Sequence, residues 1–110
     1  MKFLFGFAGL ATAFVMLGVG ASTAKAAASA EKGKEVFEQC AVCHNADSTE
    51  KKMGPGLKGL FKKAKLASGK PVTEANVKAL INSGGNGMPP YSDTLSDAER
   101  ADVIAYLKTI

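Results

Sequence analysis

Two cysteines and the chain's single histidine stand within five residues, as Cys40-Ala41-Val42-Cys43-His44, and this spacing limits the chain more than any other feature. C-x-x-C-H is the attachment pattern of a covalently bound c-type haem. Thiols at i and i+3 on one helical turn can each add to a vinyl group of one porphyrin, and the adjacent imidazole then lies under the iron. A disulfide, a dithiol redox pair and a zinc site are the competing uses. Structural zinc wants four Cys or His ligands, and Cys40, Cys43 and His44 leave it one short. A thioredoxin-like C-x-x-C should follow a strand in a βαβ pattern. The residues before Cys40, Glu31-Lys32-Gly33-Lys34-Glu35-Val36-Phe37-Glu38, are helical in pattern instead.

The first thirty residues read as a secretory signal. Lys2 precedes the uncharged run from Phe3 to Ala24, and small residues follow as Ala24-Lys25-Ala26-Ala27-Ala28. The A-x-A pattern at Ala24-Lys25-Ala26 places cleavage after Ala26, with Ala28 as second choice. The run is long enough for an uncleaved anchor, but Gly6, Gly9, Gly18, Gly20 and the small-residue exit favour cleavage. Residues 1–26 are thus expected to be a signal peptide and residues 27–110 one domain.

Those 84 residues suffice for one domain but are few for a purely hydrophobic core. Exported domains of this size usually rely on disulfides, and no cysteine lies outside the C-x-x-C-H segment. Haem would be the staple, because enclosing a large flat apolar body gives short helices buried area they cannot supply to each other.

Helical periodicity dominates the remaining pattern, and strand-like alternation is weak. A first helix is expected over about 29–43, with Gly33, Phe37, Cys40 and His44 on one face. After the loop Met53-Gly54-Pro55-Gly56, the residues Leu57, Leu60 and Phe61 suggest one short helical turn. Thr73 then caps a helix over 74–83 with Val77, Leu80 and Ile81 inward, stopped by Gly84-Gly85. Asn86-Gly87-Met88-Pro89-Pro90 is expected to be irregular. Ser96-Asp97-Ala98-Glu99 forms a capping box before the last helix, with Val103, Ile104, Tyr106 and Leu107. The fold class is all-α, three main helices and loops.

The order C-x-x-C-H, Gly-Pro-x-Leu, Met-Pro and a terminal helix with Tyr-Leu resembles a class I c-type cytochrome over nearly the whole of 27–110. The resemblance implies the cytochrome c fold around one covalent haem c, with thioethers from Cys40 and Cys43 and His44 as proximal iron ligand. It implies that the first and last helices cross, with Gly33, Phe37 and Tyr106 at the crossing as fold residues. Paired-histidine ligation within the chain is impossible, since His44 is alone, and the methionines beyond the signal are Met53 and Met88. Met88 is the favoured distal ligand because it lies in a Gly and Pro-rich loop and matches the family's Met-Pro; Met53 reads as a loop or core residue. Pro55 matches the family proline whose carbonyl accepts from the proximal imidazole, although a simple turn proline is also open. Tyr91 and Asn82 read as a surface tyrosine and a helix-end asparagine, with no role. The family's haem attachment takes place outside the bacterial cytoplasm, which agrees with the signal and implies a periplasmic protein.

Charge is uneven: seven lysines and no acid lie between Lys51 and Thr73, while Asp93 to Asp102 holds four acids and one arginine. Loss of Lys2 and Lys25 lowers the formal net charge from +4 to +2, so nucleic-acid binding is not the natural reading. The lysines are either a docking face for acidic redox partners or a solvated run. The resemblance implies an exported monomeric electron carrier, not an enzyme, with no membrane insertion after cleavage. Other readings are an electron-transfer subunit of a fixed redox complex, and an open-site haem sensor or peroxidase.

Overall fold

The computed structural model describes residues 27–110, which form three α-helices, one short 3-10 turn and connecting loops. The N-terminal segment 1–26, with its expected signal and cleavage site, lies outside the described residues. Helix α1 spans Ala30–Phe37, α2 Glu74–Ser83 and α3 Asp97–Leu107, with the 3-10 turn at Leu60–Lys62 between α1 and α2. No strand forms among the described residues, and the all-α expectation holds.

Each helix starts on a side-chain cap that satisfies an amide left orphaned by the first turn. Ser29 Oγ accepts from the Lys32 N–H at 3.3 Å and Thr73 Oγ1 from the Asn76 N–H at 3.0 Å. The box at α3 is complete: Ser96 Oγ accepts from the Glu99 N–H at 3.1 Å and Glu99 Oε1 from the Ser96 N–H at 3.0 Å.

Helix α1 is shorter than its periodicity suggests, ending at Phe37 instead of Cys43. Beyond it the Phe37 carbonyl takes both the Cys40 and Ala41 N–H groups, and the Cys40 carbonyl takes both Cys43 and His44. Shared carbonyls mix i→i+3 with i→i+4 bonding, so residues 38–43 coil as consecutive turns.

The main packing is α1 across α3. Gly33 makes the close approach possible, since a Cβ there would sit 2.8 Å from Tyr106 Cβ and inside the Asp102 carbonyl. Phe37 and Tyr106 fill the crossing with ring centroids 5.4 Å apart. The Ser29 N–H donates to Asp102 Oδ1 at 2.8 Å, which fastens the start of α1 to α3. Val77 and Ile81 of α2 bury against the same core as Phe37, Leu60, Val103, Ile104 and Leu107. Glu74 pairs with Lys108 at 3.0 Å at the far end. With Leu95, eight apolar side chains are buried, a small core for a domain of this length.

The 84–90 segment is more ordered than its composition suggests. Gly85 and Met88 exchange both backbone hydrogen bonds, at 2.9 and 3.0 Å, around Asn86 (φ +52°) and Gly87 (φ +88°). Two consecutive positive φ angles are those of a type I′ turn, for which Asn-Gly is the strongest sequence signal. No helix or strand forms here, as expected, and the Asn-Gly signal fixes a defined turn within the segment.

Candidate functional site

Cys40, Cys43 and His44 lie on the coil that continues α1, so the helix that anchors the core also fixes the site. Both cysteines are unpaired and half-buried. The Cys40 thiol pKa is pushed above its ordinary value, first by burial and then by Cys43. A dithiol redox motif needs a depressed thiol pKa, so the local environment disfavours that competing use.

The His44 ring is held on two sides. Pro55 O lies 2.7 Å from Nδ1, and a carbonyl can only accept, so in the neutral ring the proton is at Nδ1 and Nε2 keeps its lone pair. Gly54 lies against the ring: a Cβ there would be 2.8 Å from Nδ1 and 3.0 Å from Nε2. The Gly54 N–H in turn donates to the Cys43 carbonyl at 2.8 Å, and Lys52 Nζ to the Ala41 carbonyl at 3.1 Å. The 52–55 loop is therefore laced to the C-x-x-C-H coil at three points. Neither the Gly54 contact with the ring nor the Lys52 bond follows from sequence spacing.

The two methionines occupy different surroundings. Met88 is half-buried and packs on the hydrophobic core, whereas Met53 is 80% exposed with its sulfur 4.0 Å from Cys43 Sγ. Met53 is a surface residue beside the cysteines, with Val42 exposed on the same coil. Tyr91 is not a surface tyrosine: it is half-buried against the core, and burial raises its pKa, with further contributions from Cys40 and Cys43. Asn82 Oδ1 is buried without a hydrogen-bond partner, an orphaned acceptor at the end of α2 beside the Met88 loop.

Free half-buried thiols, an imidazole with Nε2 available, a glycine cradle under that ring and an orphaned amide oxygen fit a polar-edged apolar cofactor. The family model for cytochrome c matches residues 30–110. The chain belongs to the cytochrome c family. Its cofactor is accordingly one covalent haem c. The chain is 37% identical over 76 residues to a cytochrome c6-like protein of Nostoc, covering 68% of this chain and 65% of that relative. It therefore spans just under two thirds of that relative's length. It is 34% identical over 92 residues to cytochrome c2 iso-1 of Magnetospirillum molischianum, covering 67% and 92% respectively. Among solved structures it resembles cytochrome c6 of the diatom Phaeodactylum tricornutum, with a TM-score of 0.58 and 30% identity, covering 74% of this chain and 92% of that one. Cytochrome cH of Methylobacterium extorquens is also similar, with a TM-score of 0.57 and 27% identity, covering 74% and 99%.

Proposed function

We propose that this cytochrome c is an exported carrier of single electrons between larger redox proteins. Thioethers from Cys40 and Cys43 would hold the haem, with His44 as proximal and Met88 as distal iron ligand. The observation that carries this reading is the His44 ring, whose proton is committed to Pro55 at 2.7 Å while Nε2 is left to donate. When bound, haem c supplies a one-electron Fe(III)/Fe(II) couple. The protein's part is insulation and placement. The Pro55 carbonyl fixes the tautomer and raises the basicity of the ligating nitrogen. Gly54, held in place by its N–H bond to the Cys43 carbonyl, stops the ring from turning. The Met88 thioether carries no charge and no proton, so it suits both oxidation states and favours Fe(II). If His44 and Met88 both hold the iron, no site would be left on it for a substrate, which supports a carrier over an enzyme.

Redox titration of the purified haem protein with visible spectroscopy tests this. A single reversible one-electron transition, with no CO binding to the reduced form, is expected. Ready CO binding by the wild type would give an open-site sensor or peroxidase instead. Natively purified protein should elute from gel filtration as a monomer; elution with a larger enzyme would make it a fixed subunit.

Export rests on the signal-like segment and on cleavage after Ala26, giving a periplasmic protein. The described residues contain no helix long and apolar enough to cross a membrane. Intact mass of the secreted form should equal residues 27–110 plus one haem. The lysines from Lys51 to Lys70 are all exposed, and Lys51 and Lys52 directly precede exposed Met53 beside Cys43. We assign them to docking of acidic redox partners, so electron-transfer rates should fall steeply as salt rises.

A further inference from the structure

Arg100 is the one buried charged side chain among the described residues, 7% exposed on the first turns of α3. Taking a guanidinium out of water costs several kcal/mol unless its donors are well used. Here Nη1 donates to two backbone carbonyls, Ser92 at 2.9 Å and Leu95 at 2.5 Å, while Nη2 pairs with the Asp97 carboxylate. Nε has no partner, so the whole grip is exerted through the two terminal nitrogens.

Those carbonyls belong to the 91–95 turn, which closes where the Thr94 and Leu95 N–H groups reach the Tyr91 carbonyl. Tyr91 is also the residue whose N–H donates to the Ile81 carbonyl, at 2.9 Å, tying the turn to the end of α2. Between Tyr91 and Met88 stand only Pro89 and Pro90. Neither has an N–H to anchor, and each has a φ fixed near −65°. This link is stiff but has no backbone donor of its own. Upstream, Met88 is held by the Asn86–Gly87 turn; downstream, its position is set by wherever Tyr91 is set. We propose that Arg100 is a positioning residue for the distal ligand: by clasping the 91–95 turn to α3 it keeps the Met88 thioether at the iron. This rests on Met88 being that ligand.

The clasp predicts a specific failure. Without it the Met88 loop should release the iron more often, and exogenous imidazole should compete better, because apparent affinity scales with the fraction of open sites. The test uses the full haem-loaded, oxidised protein, with two readouts: the long-wavelength sulfur-to-iron absorption and the dissociation constant for imidazole. Arg100→Met should bind imidazole about tenfold more tightly and show a weakened sulfur band at unchanged haem content. Arg100→Lys keeps the charge but loses the planar fork. It should fall between, at about threefold. Ile104→Val, a core change in the same helix, should lower stability while leaving both readouts at wild-type values. Wild-type affinity and band in Arg100→Met would overturn the proposal and leave Arg100 a fold residue. If Arg100→Met does not accumulate, Arg100→Lys decides on the same readouts, and wild-type values there overturn it. If Met88→Ala itself leaves band and affinity unchanged, the ligand assignment has failed, not the clasp alone.

Discussion

Gly54 lies flat against the imidazole of His44, close enough that a Cβ would fall 2.8 Å from Nδ1 and 3.0 Å from Nε2. The ring is thus fixed by a packed face as well as by the hydrogen bond of its edge to Pro55. A ring with only the edge contact could still swing about that bond, and the direction of Nε2 would not be set.

Gly54→Ala should therefore turn or displace the ring and lengthen the Nδ1–Pro55 contact. Overpacking of this kind costs about 1–3 kcal/mol. Thermal unfolding followed in the visible spectrum should show a lowered midpoint, and redox titration a changed potential. Wild-type values for both would mean that the loop yields and that the glycine does not set the ring.

Gly33→Ala separates helix propensity from the crossing. In an open helix the change stabilises by about 0.5–1 kcal/mol. At Gly33 the new Cβ would fall 2.8 Å from Tyr106 Cβ and inside the Asp102 carbonyl. The sign should reverse, to a loss of about 1–3 kcal/mol. For a domain of this size, each kcal/mol is roughly 4–8 °C of Tm. A Tm at or above wild type would show that α1 and α3 do not meet so closely.

Much of this architecture is written in local signals. Ser29, Thr73 and the Ser96–Glu99 box name three helix starts because capping is decided by the three or four residues next to each start. The Gly33, Phe37 and Tyr106 crossing was legible only through family resemblance, since nothing local pairs residues seventy positions apart. Where α1 ends was not legible. Periodicity continues to His44, but carbonyl sharing at Phe37 and Cys40 is a matter of backbone geometry that the pattern of apolar residues does not encode. Tyr91 and Arg100 were missed for a related reason. A tyrosine after two prolines and an arginine in an acidic stretch look solvated, and only the fold shows that the turn between them is closed by the guanidinium.

The small core makes the cofactor part of folding. Eight buried apolar residues in 84 leave little to offset chain entropy, so Cys40→Ala with Cys43→Ala should give a chain without covalent haem that is largely unfolded. Circular dichroism on heating should then show no cooperative transition. A cooperative melt in the haem-free protein would mean that the helices hold by themselves.

Met88 and Met53 give the sharpest comparison, because they differ in surroundings and share their chemistry. Met88 is half-buried on the core in a loop fixed by its own turn, while Met53 is 80% exposed beside Cys43. If Met88 is the distal ligand, Met88→Ala removes the thioether, and the long-wavelength sulfur-to-iron band should vanish. The midpoint potential should fall, since water favours Fe(II) less than a thioether does, within the span of about 0.8 V that axial ligands cover. CO and cyanide should then bind readily. Met53→Ala should leave the band and the potential at wild-type values, because its side chain is 80% exposed and would not be the one holding the iron. The reverse outcome would move the ligand to Met53 and leave the family intact. Equal CO binding by wild type and Met88→Ala would mean an open iron, and a carrier could not be the reading.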